Sequence, residues 1–484
     1  MVPSSSFLLN FALPLALGIC LRSSTILHPH SGMGTPPMYG DYEAQRHWME
    51  ITVNLPSTEW YCNTTSNDLQ YWGLDYPPLT AYHSYLLGRI SRLINPAWTE
   101  LHTSRGIETP EHKQFMRLTV LFSDVFSFML AALLFCGVAA KHLASKVELS
   151  GLSVAVLMMS FPGLILVDHG HFQYNCVSLG LFLASVVLFS RNFDVCGGIA
   201  FCLAILYKQM ELYHSLPIFF FLLSKCLRQS LTAGLTHLSI LGTAVCSTFT
   251  LVLLPFLTPV DQLKQLGARV FPVNRGLFED KVATFWCVSS VLFKWKDLIP
   301  ASGILIYCFA ATLFASLPAC ILLFKRPTLL RLVLTEAIVS LAFFLFSYHV
   351  HEKSILLVAI PVLCLLPVFP LSSIYFLIVS TLSMWELFQK DDLSLACIAL
   401  VSIFHAISAI CLATDSAAKV KVSLIHFWPQ TVSLLGFFII FISEALIRPP
   451  DRYPFLFPLI LSAYSFVHFV GFSVFWYTQL LQLE

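Results

Sequence analysis

Gly40-Asp41-Tyr42-Glu43-Ala44-Gln45-Arg46-His47-Trp48, with Trp72-Gly73-Leu74-Asp75-Tyr76-Pro77-Pro78-Leu79 shortly after it, sets how the rest of the chain is read. Carboxylates, a cation, an imidazole and indoles crowd into this short polar region. Around it the chain is 57% hydrophobic and only 11% charged over 484 residues, with a mean hydropathy of +0.76. Soluble domains carry roughly a quarter of their residues as charges. A chain this apolar has lipid as most of its solvent, and the polar stretch is what its membrane scaffold presents.

Composition excludes other classes. A net charge of +1 gives no long-range field for nucleic acid. Most of the 14 cysteines lie inside hydrophobic runs, without CxxC or Cys/His metal spacing, and read as small buried apolar residues. Phe7 to Leu21 is apolar but lacks a basic n-region and a small-residue cleavage site, so it reads as an uncleaved first span.

Hydropathy predicts an all-α polytopic membrane protein with about 14 spans, on the yardstick of roughly 20 residues per spanning helix. The segments are 7–21, 117–140, 151–167, 176–190, 195–207, 213–224, 232–257, 301–324, 332–348, 355–368, 371–388, 394–413, 427–446 and 454–480. They form one domain over 1–484: a long first loop at 22–116, a transmembrane core at 117–390 and C-terminal spans at 391–484. Lys141, Lys146, Arg191, Lys225, Arg228, Lys325, Arg326, Arg331, Lys419 and Lys421 fall on one side, which the positive-inside rule puts in the cytosol. Loops 22–116, 168–175, 208–212, 258–300, 349–354 and 389–393 then face the other compartment. The sequon Asn63-Thr64-Thr65 fits a lumenal first loop. In that loop Glu43, His47 and Glu50 recur at helical spacing opposite Trp48, Ile51 and Leu55. This predicts an amphipathic helix on the membrane surface, with a second interfacial run from Leu79 to Ile94.

Polar clusters collect at span ends on the non-cytosolic side, and ionisable groups at membrane depth mark function by default. They are Asp168 to Asn175, Lys208 to Glu211 with Tyr213 and His214, Phe271 to Lys281, and His349 to Ser354. His169 and His171, like His349 and His351, are separated by one residue. In a helix that spacing does not put both rings on one face. There is no HExxH, no Asp-x-Asp and no Gly-rich phosphate loop. Asp391-Asp392 reads as a solvated acidic doublet at a span end. The residues suit group transfer from a phospholipid donor. A polyprenyl phosphate needs cations to accept developing charge, which Arg275, Lys281, His351 and Lys353 supply. An alcohol acceptor needs one carboxylate as general base, either Asp41 or Asp75. Trp48, Trp60, Trp72 and Tyr76 suit the apolar faces of sugar rings and equally an interfacial aromatic belt.

At these residues the chain resembles the endoplasmic-reticulum glucosyltransferases of asparagine-linked glycosylation that use dolichyl-phosphate glucose, glycosyltransferase family 57 of the GT-C superfamily. The resemblance runs from about Pro36 to Leu480. It is carried by the motifs at 40–48 and 71–79, His-Phe-Gln-Tyr-Asn at 171–175, Tyr-Lys-Gln-Met-Glu-Leu at 207–212, Arg-Gly-Leu-Phe-Glu-Asp-Lys-Val-Ala at 275–283 and Val-His-Glu-Lys-Ser-Ile-Leu at 350–356. It implies a multi-pass GT-C enzyme of the endoplasmic-reticulum membrane with a lumenal site and no metal or other cofactor. The implied donor is dolichyl-phosphate glucose, and the implied acceptor is a dolichyl-pyrophosphate-linked oligosaccharide. Two sister activities share the plan, one adding the first glucose to Man9GlcNAc2-PP-dolichol and one adding the second. Glu-Ala-Gln-Arg-His-Trp at 43–48, Gly-Leu-Asp-Tyr-Pro-Pro-Leu at 73–79 and Phe-Glu-Asp-Lys at 278–281 resemble the first-glucose branch. The resemblance assigns the base to Asp41, with Asp75 as second candidate. It places Arg275, Lys281, His349, His351, Lys353, His171 and Gln173 on the donor. It leaves Glu43, Arg46, His47, Trp48 and Tyr76 for the acceptor, with bracing of the loop as the other role open to Glu43, Arg46 and His47. A transporter or lipid scramblase is the alternative from another class; no internal repeat supports it.

Overall fold

A computed structural model describes residues 11–143, 147–271, 281–415 and 424–483. Every regular element among them is helical. Among the described residues each expected span falls on a helix, although boundaries move; residues 7–10 of the first expected span lie outside them. Segment 371–388 breaks at Ser383 into Pro370–Leu382 and Trp385–Lys390, and segment 355–368 contracts to Ile355–Leu365. Seven helices of the described residues are long and apolar enough to cross a membrane by length and composition, among them Pro110–Val138, Gly151–Phe172 and Leu329–Phe346. The expected number of about 14 also counted shorter apolar helices such as Asn175–Ser190 and Asp194–Tyr207.

Leu329–Phe346 and Ile355–Leu365 are buried along nearly their whole length and form the centre of the bundle. Leu231–Leu253 and Ala301–Lys325 lie outside and expose side chains such as Leu251 and Phe314. Helices in lipid gain no hydrophobic energy from each other, so contact depends on close fit and polar clamps. Gly180 supplies the fit, because a Cβ there would lie 2.5 Å from the backbone nitrogen of Phe128. Arg22 supplies a clamp. Its Nε donates to Asp124 Oδ2 at 2.5 Å, and Asp124 also takes His169 Nε2 at 2.9 Å.

The long first loop is folded. Asp41 and Glu43 sit in the first turn of the Gly40–Asn54 helix, where carboxylates suit the helix dipole, and Leu55-Pro56 ends it. This helix corrects the expected interfacial one. Tyr42 through Thr52 are all buried, so no polar face meets water. The polar residues neutralise one another instead. Arg46 donates to Glu43 Oε1 and Oε2 at 2.6 and 2.7 Å, to Glu50 Oε2 at 2.6 Å and to Ser104 Oγ at 2.6 Å. Pro78–Ile94, the second expected interfacial run, is the two-sided helix of the loop. Thr80, Ala81, Ser84 and Gly88 face inward, while Leu86, Ile90, Leu93 and Ile94 point out.

Candidate active site

Asp41 reaches its position through Gly40. Gly40 has φ +72°, and a Cβ on it would lie 2.7 Å from the Ser31 carbonyl carbon, so only glycine fits. The Asp41 backbone N–H donates to Ser31 Oγ at 3.2 Å, and the Ser31 N–H donates to the His171 carbonyl at 2.9 Å. One short loop therefore registers the start of the Gly40–Asn54 helix against the end of Gly151–Phe172. That end is wound as a π-helix over Ile165–Phe172, a form that often marks functional sites. Phe172 then takes φ +95°, which is outlying for a bulky residue and costs about 1–3 kcal/mol. Across this turn His171 and Gln173 reach the same carboxylate oxygen.

Asp41 Oδ2 receives Gln173 Nε2 at 2.5 Å and Lys353 Nζ at 2.8 Å, and it lies 2.9 Å from His171 Nε2. Among the described residues Oδ1 receives no hydrogen bond, and the side chain stays 23% exposed. One oxygen is thus anchored and the other is open to a substrate. Burial alone pushes the Asp41 carboxyl up, but the Lys353 charge and the His171 hydrogen bond outweigh it and hold the group well below the usual carboxylate range.

A second cation stands behind Gln173. Lys208 Nζ donates to Asn175 Oδ1 and, at 3.4 Å, to Gln173 Oε1, and it lies 4.9 Å above the Tyr76 ring. Burial and the nearby Lys353 charge pull its ammonium down to about 8. Asn175 donates in turn to Asp168 Oδ1 at 2.7 Å. Lys208 stood out in the sequence only as part of a span-end cluster. Its junction with Gln173 depends on contacts that hydropathy does not report.

The carboxylate missed by sequence is Asp391. It was expected to be solvated; it is 7% exposed, and its Oδ2 lies 2.5 Å from His171 Nδ1. Its neighbour Asp392 is exposed, as expected. The two histidines of the 169–171 pair turn to different partners, His169 to Asp124 and His171 to Asp41 and Asp391. No group of three or more His, Cys, Asp or Glu with metal-holding geometry occurs among the described residues.

His349 and His351 pack edge to face at 4.9 Å, in the loop that carries Lys353. Lys281 has its ammonium 5.7 Å above the Phe455 ring and its carbonyl bonded by Ser462. Arg275 lies outside the described residues. Asp75 is half-buried beside Tyr76, and its carbonyl accepts from Gln209 Nε2 at 3.3 Å. Trp48 is buried, donates from its indole to the Trp72 carbonyl at 2.8 Å and meets the Tyr76 ring edge-on at 5.1 Å. Glu43, Arg46 and His47 are buried in the ionic network described above, which is the geometry of bracing. Asp41, His171, Gln173, Lys353 and Asp391 come from loops 22–116, 168–175, 349–354 and 389–393, which the charge pattern had put on one side. The arrangement offers an open carboxylate oxygen next to two ammonium groups, the chemistry of a general base beside an anion site.

The chain is similar to known proteins along most of its length. The ALG6, ALG8 glycosyltransferase family matches residues 12–476. The Gallus gallus protein named dolichyl pyrophosphate Man9GlcNAc2 alpha-1,3-glucosyltransferase is 45% identical over 482 residues, covering 95% of this chain and 94% of that protein. The Drosophila melanogaster protein named probable dolichyl pyrophosphate Man9GlcNAc2 alpha-1,3-glucosyltransferase is 44% identical over 457 residues, covering 94% of this chain and 95% of that protein. The crystal structure of ArnT from Cupriavidus metallidurans in the apo state aligns over 96% of this chain and 75% of that one, at 16% identity and a TM-score of 0.41. A match that spans nearly the whole chain, with relatives this similar over their full lengths, settles the kinship: the chain belongs to the ALG6, ALG8 glycosyltransferase family.

Proposed function

We propose that this chain transfers glucose from dolichyl-phosphate glucose to the terminal mannose of Man9GlcNAc2-PP-dolichol, forming an α-1,3 linkage with inversion at the lumenal face of the endoplasmic-reticulum membrane. The fold is of the GT-C class, and residues 1–484 work as one catalytic domain. The observation that carries the reading is Asp41, with one oxygen anchored by Lys353, His171 and Gln173 and the other open. The names of the relatives support the acceptor.

In this mechanism Asp41 takes the proton of the mannose 3-hydroxyl. The hydroxyl oxygen bonds to C1 of the β-linked glucose as the C1–O bond to phosphate breaks, and dolichyl phosphate leaves with the electron pair. Lys353, with His349 and His351 of the same loop, meets the charge that develops on the phosphate. Lys353 thereby serves two anions in turn. While it pairs with Asp41 it weakens that carboxylate as a base. Drawn toward the donor phosphate, it restores basicity when the leaving group is in place. Glu43, Arg46 and His47 hold the helix that presents Asp41, and Trp48 with Tyr76 shapes the wall on the acceptor side.

The sister activity, addition of the second glucose, is separated by offering acceptors with no glucose and with one. The expected result is product on Man9GlcNAc2-PP-dolichol. Product only on the monoglucosylated acceptor would contradict the assignment.

A further inference from the structure

Asp391 has no part in the chemistry above, yet it is buried and bonded to a group that touches the base. His171 stands between two carboxylates, with Nδ1 2.5 Å from Asp391 Oδ2 and Nε2 2.9 Å from Asp41 Oδ2. Lys353 Nζ lies 3.2 Å from the same Nε2. A carboxylate only accepts hydrogen bonds, so the Asp391 contact requires a hydrogen on Nδ1. On the Nε2 side two arrangements satisfy the geometry. Either Nε2 also carries a hydrogen and donates to Asp41, or it presents a lone pair to the Lys353 ammonium. Nδ1–H to Asp391 is common to both. Asp391 therefore fixes the ring's orientation and leaves Nε2 as its variable end, aimed at the base. An aspartate that sets a histidine tautomer from behind is a known device of catalytic triads.

We propose that Asp391 is a positioning residue for the Asp41 base, acting through His171 by holding Nδ1–H so that Nε2 always faces Asp41 and Lys353. This rests on the transferase reading given above. Other charged groups facing this cluster are Arg117, whose charge acts on Asp391 and which donates to the His169 carbonyl, Lys353 from the 349–354 loop and Lys208, through Gln173. The alternative is that Asp391 merely ties the end of the Trp385–Lys390 helix to the Gly151–Phe172 helix.

The two roles separate in kinetics of the full-length protein in detergent, with both lipid substrates varied. Asp391→Asn places an amide N–H opposite Nδ1 and favours the wrong tautomer. Its kcat is expected to fall about tenfold or more, with KM for each lipid within about twofold of wild type. In a His171→Gln background the same change is expected to cost nothing further, because its effect passes through the ring. Asp392→Asn, the exposed neighbour, is expected to behave as wild type. If Asp391→Asn does not accumulate, Asp391→Ser, which is smaller and removes the charge, is read in the same way. An unchanged kcat for either Asp391 variant would overturn the proposal. So would a loss that adds fully to that of His171→Gln, since a mere tie between segments acts independently of the ring. Wild-type protein that transfers no glucose would instead overturn the transferase reading.

Discussion

Asp41→Asn is expected to lower kcat for glucose transfer by about 10²–10⁴-fold, the range for losing a general base, while both lipids still bind. Asparagine keeps the size of the side chain and a hydrogen-bonding oxygen but cannot take a proton from the acceptor hydroxyl. The assay is transfer from dolichyl-phosphate glucose in detergent, with binding of each lipid measured separately. Near-normal turnover would remove Asp41 from the role and bring Asp75 forward. The wild-type pH profile carries a linked expectation. The folded carboxyl of Asp41 lies well below the ordinary value, so its ionised form is complete above that value and is lost only as pH falls through the lowered one. The profile of kcat/KM therefore shows no acid limb from Asp41 between about pH 8 and about pH 5.

Arg46→Met is expected to destabilise the protein by about 3–5 kcal/mol, the usual cost of leaving buried carboxylates without their cation. Arg46 is fully buried, and its guanidinium holds Glu43 and Glu50 at 2.6 Å. Glu43 also accepts from the Tyr71 hydroxyl at 2.8 Å, and Glu50 accepts from the His102 backbone N–H at 2.7 Å, so the network joins the helix to the rest of the first loop. Burial pushes the Glu50 carboxyl up, but His47, Arg46 and the His102 N–H bring it down to about 2. The stability it contributes is whole above the ordinary glutamate value and is lost as pH falls toward about 2. Thermal unfolding in detergent at neutral pH reads the Arg46→Met loss as a lower midpoint. An unchanged midpoint would mean that the network carries no net stability. Activity is expected to fall with it, because the same helix presents Asp41 from its first turn.

Much of this was legible in the sequence. Hydropathy located the helices because lipid-facing and core positions are alike apolar. The polar residues at span ends stood out because charge at membrane depth is costly, and that contrast drew attention to the first loop with Asp41 and to the clusters at 168–175 and 349–354. What failed did so for identifiable reasons. The Gly40–Asn54 helix looked two-faced because residue type was read as solvent preference. Glu43, Arg46 and Glu50 sit at i, i+3 and i+7, a spacing that allows them to neutralise one another and become buried. That spacing was the available signal. Asp391 was read as solvated because its partner is 220 residues away, and no local pattern marks a contact of that range.

The proposed reaction requires Asp41 to meet the acceptor hydroxyl, opposite a leaving phosphate held by Lys353. A structure of the protein with an unreactive donor analogue and the oligosaccharide acceptor measures this directly. The expected result has an Asp41 carboxylate oxygen within about 3 Å of the attacking hydroxyl and the Lys353 ammonium turned to the phosphate. A hydroxyl seated on Asp75 or another group, with Asp41 remote from it, would contradict the account.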